Sequence, residues 1–499
     1  MVKGIKSYSM KYKLQEIKVP EEVVKIYFVG VKGVGMAPLA IIAKEEGIEI
    51  AGSDLAEEFI TDMWLQKKKI AIHTGFQIET IKNFFGDTAK NNSLVVTTGA
   101  HKGFDNPQVK WAKENNIVVL SQGQALSVFM VGAIFGREMK GITVAGSHGK
   151  TTISSLLAVT LNELGEDSSY SVGTGEIFPL GSPGHSGRGN YFVAEADEYA
   201  SEPFYDKIPK FLYLNPTFAI FNNIDFDHPD LFENIDEIVT AFIEFAHNIK
   251  SGGKLFINGD DFYLSKFKGK IDKDIHILTY GQNAGNDYVI SKIVTFGLSS
   301  RFTVHKYGSE LGIFELSVPG VHNAKNALSV IALLTELGFD VLQIRSALKV
   351  FTGTKRRTEI VGHTKGGALI IDDYAHHPLE IATTLSSVKQ CYPDKKIVCV
   401  FQPHTFSRTK ALLLDFAKAF SNTNKLVLLP VFSSARDTEK DGTASDKYIE
   451  EYAKYSDVIY KENFEDVVEY LNKNYISSEF IILTFGAGDV YKIAYELLK

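Results

Sequence analysis

The residues best suited to chemistry lie in a glycine-containing turn at 146–152, GSHGKTT, which follows the β-rich run GITVA. In such a turn, backbone amides surround phosphate oxygens, a lysine neutralises their charge and a hydroxyl binds magnesium. The pattern is partial, because Val144 stands where the first glycine of the usual phosphate loop would fall. It still predicts a nucleotide phosphate site made by Gly146, Ser147, His148, Gly149, Lys150, Thr151 and Thr152, although His148 also fits a packing role.

Acidic and amide side chains follow two further β-rich runs. YFVAEADEY at 191–199 carries Glu195, Asp197 and Glu198, and AIFNNIDFDHPD at 219–230 carries Asn222, Asn223, Asp225, Asp227 and His228. Carboxylates at a strand end beside a phosphate loop suit magnesium, which takes oxygen ligands and bridges phosphates. The two segments therefore predict a magnesium site, with a solvated acidic loop as the alternative for the first of them.

A second glycine-rich turn lies near the start of the chain. The β-rich run KIYFVG at 25–30 leads through Gly30, Gly33 and Gly35 into an apolar helical run that begins at Met36, and Asp54 ends the next β-rich run. Such a turn lets the backbone approach a phosphate at a helix N-terminus, and the acid is placed to meet a ribose hydroxyl. The spacing differs from the dinucleotide fingerprint, so a tight turn and a helix-capping Asp54 remain alternatives.

The two turns belong to a pattern that recurs along the chain, in which a β-rich run and a Gly-containing turn precede a helical run. This pattern is typical of parallel α/β sheets. Three blocks open with KIYFVG, GITVAG and ALIIDD, and the last continues with KIVCVFQP, KLVLLPV and FIILTFGAG. Together with the length of 499 residues, they predict three α/β domains over 1–140, 141–352 and 353–499, with a doubly wound sheet at each end of the chain.

Composition narrows the possible partners. A net charge of -7 gives no electrostatic case for nucleic acid, and an anionic ligand would need local positive sites. The two cysteines, Cys391 and Cys399, are too few for a disulfide framework. The amino-terminal segment lacks the apolar core of a secretory signal, and no stretch approaches a membrane span. We expect a soluble cytoplasmic protein with no membrane partner.

Six motifs together resemble the Mur ligase family, in order and over nearly the whole chain: GSHGKTT, EADEY, NNIDFDHPD, PGVHNAKNAL, KRRTE and DDYAHHP. The resemblance implies a Rossmann-like N-terminal domain that holds a UDP-sugar, a central P-loop ATPase-type domain, and a Rossmann-like C-terminal domain that brings the amino acid. By this resemblance, Gly30, Gly33, Gly35, Met36 and Asp54 would bind the UDP-sugar rather than NAD.

The resemblance also implies roles for single residues. Lys150 and Thr151 would handle ATP phosphates and Mg²⁺, and Glu195 and His228 would be metal ligands. Asn323 and Asn326 match nucleotide contacts, Arg357 matches an arginine that reaches ATP from the third domain, and Asp373 and His376 match the loop that closes over the reacting centre. FQPHTFSRT at 401–409 resembles the amino-acid segment of the alanine-adding branch, with Arg408 at a basic position and Thr405 where some members carry a second arginine.

The implied reaction is ATP-dependent amide formation between UDP-N-acetylmuramate and L-alanine through an acyl phosphate, with Lys150, Glu195, His228 and His376 as catalytic residues. Either His376 or His377 could accept the proton of the amine or only orient the loop. One alternative is a recycling ligase that attaches a tripeptide to the same sugar. Alternatives from other classes are an NAD-dependent oxidoreductase, which leaves the phosphate loop unexplained, and a nucleotide-regulated binding protein. We expect a monomer or weak homodimer.

Overall fold

The computed structural model describes residues 17–86, 90–202, 205–228, 231–271, 274–432 and 445–499. Their strands form three large sheets and two short two-stranded ribbons. Cys399 is buried, Cys391 is partly buried and both are free thiols. Among the described helices, none combines the length and the apolar character that crossing a membrane requires.

The amino-terminal sheet is five-stranded and wholly parallel, in the order β3-β2-β1-β4-β5. Its strands are β1 (Lys25–Val29), β2 (Glu49–Asp54), β3 (Ala71–Thr74), β4 (Ser93–Thr97) and β5 (Val118–Ser121). Its helices are α1 (Ala37–Glu45), α2 (Asp62–Lys67), α3 (Ile78–Phe85), α4 (Pro107–Glu114) and α5 (Gln122–Met130). The strand order reverses between β1 and β4, and in open α/β sheets ligands bind at such a switch point beyond the carboxyl ends of the strands.

The central sheet has ten strands in the order β18-β17-β16-β15-β14-β13-β6-β10-β7-β9. Its strands are β6 (Lys140–Ala145), β7 (Ser169–Ser171), β9 (Gly184–His185), β10 (Tyr191–Glu195), β13 (Phe218–Phe221), β14 (Lys254–Asn258), β15 (His276–Gly281), β16 (Tyr288–Phe296), β17 (Ser299–Lys306) and β18 (Ser309–Leu316). The helices are α6 (Lys150–Glu163), α7 (Ile235–His247), α8 (Val321–Glu336) and α9 (Val341–Leu348), and β11 (Ala200–Glu202) pairs with β12 (Asp206–Pro209) outside the sheet. Because β10 and β13 flank β6 in parallel, the segments after these three strands meet at one edge.

The carboxy-terminal sheet has six strands in the order β20-β21-β25-β22-β23-β24, parallel except for β20. The strands are β20 (Glu359–His363), β21 (Leu369–Asp373), β22 (Lys396–Phe401), β23 (Lys425–Leu428), β24 (Val458–Tyr460) and β25 (Phe480–Phe485). The helices are α10 (Pro378–Cys391), α11 (Phe406–Ala411), α12 (Leu413–Ala419), α13 (Ser445–Ala453), α14 (Phe464–Asn474) and α15 (Tyr491–Glu496). The predicted α/β class and three-domain arrangement are confirmed.

Contacts on both sides tie the central part to its neighbours. His185 on β9 lies with Nδ1 2.9 Å from the Glu45 carboxylate at the end of α1, so the first two sheets are joined by an ion pair. On the other side, β8 (Ile177–Phe178) pairs with β19 (Gly353–Thr354) just before the third sheet begins. The connection that leads into the third domain is therefore anchored on the central one.

Candidate functional site

A first cavity, with a volume of about 400 Å³, lies between the carboxyl ends of the amino-terminal strands and those of the central strands. All five residues predicted to bind a UDP-sugar line it: Gly30, Gly33, Gly35, Met36 and Asp54. Gly30 has φ +83°, and a Cβ at this position would collide with Thr98. Glycine is therefore required at this position, because the backbone has a positive φ and because the loop that follows β4 lies too close for a side chain.

Asp54 does not cap a helix. Its side chain is fully buried, and its carboxylate accepts hydrogen bonds from the backbone amides of Lys32, at 2.7 Å, and Leu55, at 2.8 Å. Asp54 therefore holds the glycine-rich turn in place, and Nε2 of His101 lies 3.5 Å from the same carboxylate. No pattern in the sequence pointed to His101, which also lines the cavity.

The phosphate loop connects β6 to α6 as the sequence predicts. Gly149 has φ +83°, and an added Cβ would lie 2.7 Å from Nδ2 of Asn222. Asn223 braces the loop from the next strand end, because its backbone carbonyl accepts from the Ser147 amide at 3.1 Å and its side-chain Oδ1 accepts from the His148 amide at 2.7 Å. Beyond the brace, α6 begins at Lys150, and the first amides of a helix have no partner inside it.

Lys150 extends over its own loop into the first cavity. Its ammonium donates to the Gly146 carbonyl at 2.6 Å and to the Glu198 carboxylate at 3.0 Å. Burial lowers the pKa of Lys150, but the carboxylates of Glu198, Asp197 and Glu195 outweigh burial and raise it. The lysine therefore stays positively charged where the loop would meet a phosphate.

Glu198, Asp227 and His228 form a compact cluster whose ligand atoms all lie within 4.8 Å of one another. Burial raises the pKa of the Asp227 carboxyl, but the charges of His228 and Arg408 hold it well below its usual range. Two carboxylates and one imidazole suit a divalent cation, with the oxygen ligands that Mg²⁺ prefers in the majority. From the sequence, Glu198 and Asp227 were predicted only as members of acidic segments and not as individual metal ligands.

Glu195 and Thr151, predicted together with His228 as metal ligands, form a separate pair. The Thr151 hydroxyl donates to Glu195 Oε1 at 3.1 Å, and Glu195 Oε2 accepts from the Gly173 amide at 3.0 Å. Both side chains line the first cavity beside the cluster. The structure thus brings His228 together with Glu198 and Asp227, and places Thr151 with Glu195.

A second cavity, of about 660 Å³, lies between the central and carboxy-terminal parts. It is lined by most of the predicted ATP residues, namely His148, Gly149, Thr152, Asn323, Asn326, Arg357 and Asp373, while Ser147, Lys150 and Thr151 line the first cavity. Asn326 accepts from Asn222 at 3.2 Å, and Asn323 donates to the Pro319 carbonyl at 2.7 Å. His322 also lines this cavity, and burial lowers its pKa to about 4.

Asp373 is buried and fixes the loop between β21 and α10. Its carboxylate accepts from the Ala375 amide at 2.8 Å and from the Thr358 amide and hydroxyl, each at 2.9 Å. Because Thr358 directly follows Arg357, these contacts also set the direction in which Arg357 leaves the backbone. Arg357 Nη2 lies 3.4 Å from the Thr151 hydroxyl.

The two cavities meet at Arg357 and Glu380, the residues of the third domain that line both of them. At the same junction, the His148 ring lies between two carboxylates, with Nε2 3.2 Å from Asp225 and Nδ1 3.2 Å from Glu380. Burial lowers the pKa of His148, but the two neighbouring carboxylates, Asp225 and Glu380, outweigh it and raise the pKa to about 9. His148 therefore carries a positive charge at neutral pH and is more than a packing residue.

His376 faces the first cavity as a neutral imidazole. Burial and the nearby Arg408 lower its pKa to about 4. Its Nδ1 lies 3.1 Å from the Tyr374 carbonyl, which can only accept, so Nδ1 carries the hydrogen. The lone pair is left on Nε2.

Arg408 is 5% exposed and is paired with the metal-suited cluster. Its Nε and Nη2 donate to the same oxygen of Asp227, at 3.1 and 2.7 Å. A guanidinium has five N–H groups, so these two bonds do not use them all. The sequence did not reveal this partner, which lies 181 residues away along the chain.

Family models match all three parts of the chain. The model of the Mur ligase family, catalytic domain, matches residues 25–133, the Mur ligase middle domain matches 144–334, and the Mur ligase, glutamate ligase domain, matches 356–488. The matched ranges correspond to the three large sheets.

Curated relatives and solved structures match along nearly the full length. The UDP-N-acetylmuramate--L-alanine ligase of Desulfitobacterium hafniense is 36% identical over 95% of this chain and 99% of its own, and that of Caldanaerobacter subterraneus is 37% identical over 96% and 98%. The crystal structure of the UDP-N-acetylmuramate-alanine ligase of Thermotoga maritima has a TM-score of 0.76 and 26% identity, with 95% of this chain and 98% of that one covered. A murein peptide ligase of Psychrobacter arcticus shares the fold, with a TM-score of 0.70, 24% identity and coverage of 95% and 98%. With its three domains matched in order and relatives this similar over nearly its whole length, the chain belongs to the Mur ligase family.

Proposed function

We propose that the chain joins the carboxylate of UDP-N-acetylmuramate to the amine of L-alanine, with conversion of ATP to ADP and phosphate, in the synthesis of peptidoglycan precursors. The observation that carries the proposal is the junction of the two cavities at Arg357 and Glu380, next to the phosphate loop. A triphosphate that extends from the second cavity and a sugar acid held in the first would meet there. The names of the relatives support the same substrates.

Each cavity has a proposed ligand. The UDP-sugar would lie against Gly30, Gly33, Gly35, Met36 and Asp54 in the first. ATP would lie against Gly146, Ser147, His148, Gly149, Lys150, Thr151, Thr152, Asn323, Asn326, Arg357 and Asp373, with its base in the second. An NAD-dependent oxidoreductase would leave the phosphate loop without a function.

In the first step, the sugar carboxylate attacks the γ-phosphorus of ATP and ADP leaves, which yields an acyl phosphate. Two anions must approach each other, so catalysis depends on positioning and on positive charge. Lys150 supplies a fixed ammonium at the loop, and Arg357 reaches the same place from the third domain. Both charges are held in place by contacts within the protein, and so little reorganisation is required.

In the second step, the amine of L-alanine attacks the acyl carbon and phosphate leaves as the amide forms. The attacking nitrogen must lose a proton. His376 lines the cavity in which this happens and keeps a lone pair on Nε2, so we propose that His376 orients the amine by accepting a hydrogen bond from it. A pKa of about 4 makes this imidazole a weak base, so the proton passes on to the departing phosphate. Arg408 would hold the alanine carboxylate.

We propose that Mg²⁺ is the metal cofactor. The geometry favours Glu198, Asp227 and His228 as the residues that hold it, while the set from the sequence, Thr151, Glu195 and His228, stays a prediction. When bound, the ion would neutralise phosphate charge. The protein's own contribution is to hold the two carboxylates close together, with Lys150 paired to Glu198 and Arg408 paired to Asp227.

The two candidate metal sets can be separated by substitution. We expect Glu198→Gln to raise the Mg²⁺ concentration for half-maximal rate by at least about tenfold. Removal of residues that only support the ligands of a metal site already weakens metal affinity by about this factor. Glu195→Gln retains an oxygen for Thr151 and should cause a smaller rise. Steady-state rates over a magnesium titration test this. A larger shift for Glu195→Gln would move the ion to the Thr151 side.

Phosphate release decides the substrate. With ATP and UDP-N-acetylmuramate present, we expect L-alanine to stimulate phosphate release well above L-Ala-γ-D-Glu-diaminopimelate, with no change in NADH absorbance in a parallel reaction supplied with that cofactor. Mass spectrometry should find the amide product in equal amount to the phosphate. A preference for the tripeptide would make the chain a recycling ligase, which the EADEY and FYDK segments also resemble.

Further features remain proposals. We propose domain limits of 1–140, 141–352 and 353–499, although the pairing of β19 with β8 places Gly353 and Thr354 against the central domain. A cytoplasmic location, expected from the small number of cysteines, also stays a proposal. A monomer or weak homodimer stays a prediction.

A further inference from the structure

Glu380 lies at the first turn of α10, where an acidic residue stabilises a helix N-terminus. Its Oε2 accepts from the backbone amide of His376 at 3.2 Å, one residue before the helix N-cap. This contact resembles a capping box, in which the third helical residue reaches back to the chain that enters the helix. Capping accounts for only one of the two carboxylate oxygens.

The other oxygen, Oε1, faces across the domain boundary. It lies 3.2 Å from Nδ1 of His148 in the phosphate loop and 3.8 Å from Nη1 of Arg357. These partners belong to two different motifs, and Glu380 is only 14% exposed. Its burial raises the pKa of the carboxyl, but His148 and Arg357 help to hold it well below its usual range. Glu380 therefore acts as an anion between two cations.

The position of Glu380 in the molecule also indicates a role in the reaction. Glu380 lines both cavities, so it stands where the phosphate tail and the sugar acid must meet. Through Oε2 it fixes the segment that carries His376, and through Oε1 it fixes the loop that carries Lys150. One carboxylate thus connects the groups proposed to act in phosphoryl transfer with His376, the residue proposed to meet the amine.

We propose that Glu380 is a positioning residue that holds the phosphate loop and Arg357 in register with His376, so that both steps occur at one centre. The inference rests on the proposed function. It assigns Glu380 no contact with the reacting atoms. Its effect is transmitted through His148 and Arg357, and it should therefore appear in turnover more than in ligand binding.

Glu380→Gln separates capping from positioning. A glutamine retains a carbonyl oxygen for the His376 amide, as capping boxes permit, but it presents no negative charge to His148 and Arg357. We expect kcat to fall by about tenfold to a hundredfold, the range for the loss of charge-assisted hydrogen bonds. The KM for UDP-N-acetylmuramate should stay within about twofold, since the sugar residues are untouched. A normal kcat, or a rise in KM alone, would overturn the proposal.

Glu336 provides a matched control. It is 15% exposed and accepts from Lys254 at 3.0 Å and from the Tyr288 hydroxyl at 2.9 Å, but it lines neither cavity. Glu336→Gln should leave kcat unchanged even if it lowers the thermal midpoint. Equal losses of kcat in the two variants would show that Glu380 acts only through stability.

A double-mutant cycle tests the path through His148. If Glu380 acts through this ring, His148→Gln and Glu380→Gln together should cost much less than the product of their separate effects on kcat. Additive effects would remove His148 from the mechanism of Glu380.

If Glu380→Gln does not fold, Glu380→Asp is the second variant. Its carboxylate keeps the charge, but the shorter side chain cannot reach His148, so we expect the same loss of kcat. The wild-type reaction is the reference, so absence of alanine-dependent phosphate release there would refute the function and not only this inference.

Discussion

Lys150→Ala should reduce kcat by roughly a hundredfold to a thousandfold, the cost of removing one preorganised electrostatic group from an active site. The ammonium is fixed by the Gly146 carbonyl and by Glu198, and it belongs to the loop that would meet the transferred phosphate. Binding of UDP-N-acetylmuramate should remain nearly intact, because the sugar residues belong to the first domain. Pre-steady-state phosphate release and calorimetry with each ligand measure the two properties separately.

Lys254 offers the control for this substitution. It also pairs with a glutamate, the partly buried Glu336, at 3.0 Å, but it lines neither cavity. Lys254→Ala should lower the thermal midpoint and leave kcat almost unchanged. If Lys150→Ala retained more than about a tenth of the wild-type rate, the assignment of its charge to the transferred phosphate would be wrong.

The sequence identified the groups whose chemistry depends on local spacing. The phosphate loop could be predicted because its glycines, Lys150 and Thr151 all lie within seven residues between one strand and one helix. The amino-terminal glycine turn was readable for the same reason. The parallel parts of the three sheets followed from β-rich runs separated by helical patterns, and these patterns are properties of short segments. The antiparallel pairs β16–β17 and β17–β18 were not predicted.

The choice between Glu195 and Glu198 was not accessible to the same reasoning. Glu195 is the last residue of β10 and lies in register with Val144, so strand geometry sends its side chain towards Thr151. Glu198 follows three residues later, beyond the strand, and no periodicity fixes the direction of a side chain in an irregular segment. Only the folded loop shows that it meets Asp227 and His228.

Contacts between domains were equally hidden. Glu380 looks like an ordinary acid in the first turn of a helix, and its link to His148 spans 232 residues. Asp54 was expected at a ribose, and the structure shows that its carboxylate first serves to brace the glycine turn. Such roles depend on how the domains are packed, which a single sequence does not encode in any short pattern.

Arg408 was expected from resemblance to bind the amino acid, but its guanidinium is already paired with Asp227, and its substitution should have a large effect. Its bonds to Asp227 use Nε and one N–H of Nη2. The three remaining N–H groups can still receive a carboxylate in a planar, two-point contact. We therefore expect Arg408 to bridge Asp227 and the carboxylate of L-alanine without releasing either.

Arg408→Lys is the informative variant, because truncation to alanine would leave the buried Asp227 charge without its partner, at a cost of about 3 to 5 kcal/mol of stability. A lysine keeps the charge but cannot bridge two carboxylates with planar geometry. We expect the KM for L-alanine to rise by about tenfold to a hundredfold, while the KM values for ATP and the UDP-sugar hardly change. Arg301→Lys, at an exposed pair with Glu315, is the control and should alter none of these constants.

If Arg408 contacts Asp227 and the alanine carboxylate at the same time, a further result is expected that would not follow if Arg408 contacted only the alanine carboxylate. Since Asp227 belongs to the metal-suited cluster, Arg408→Lys should shift the magnesium dependence as well as the alanine KM, and Asp227→Asn should shift both in turn. The two substitutions should be non-additive, because they interrupt one contact. A raised alanine KM with unchanged magnesium dependence would mean that Arg408 leaves Asp227 when the substrate binds. If Arg408→Lys has normal alanine kinetics, the carboxylate of L-alanine binds elsewhere. The role of Arg408 would then be only to pair with Asp227.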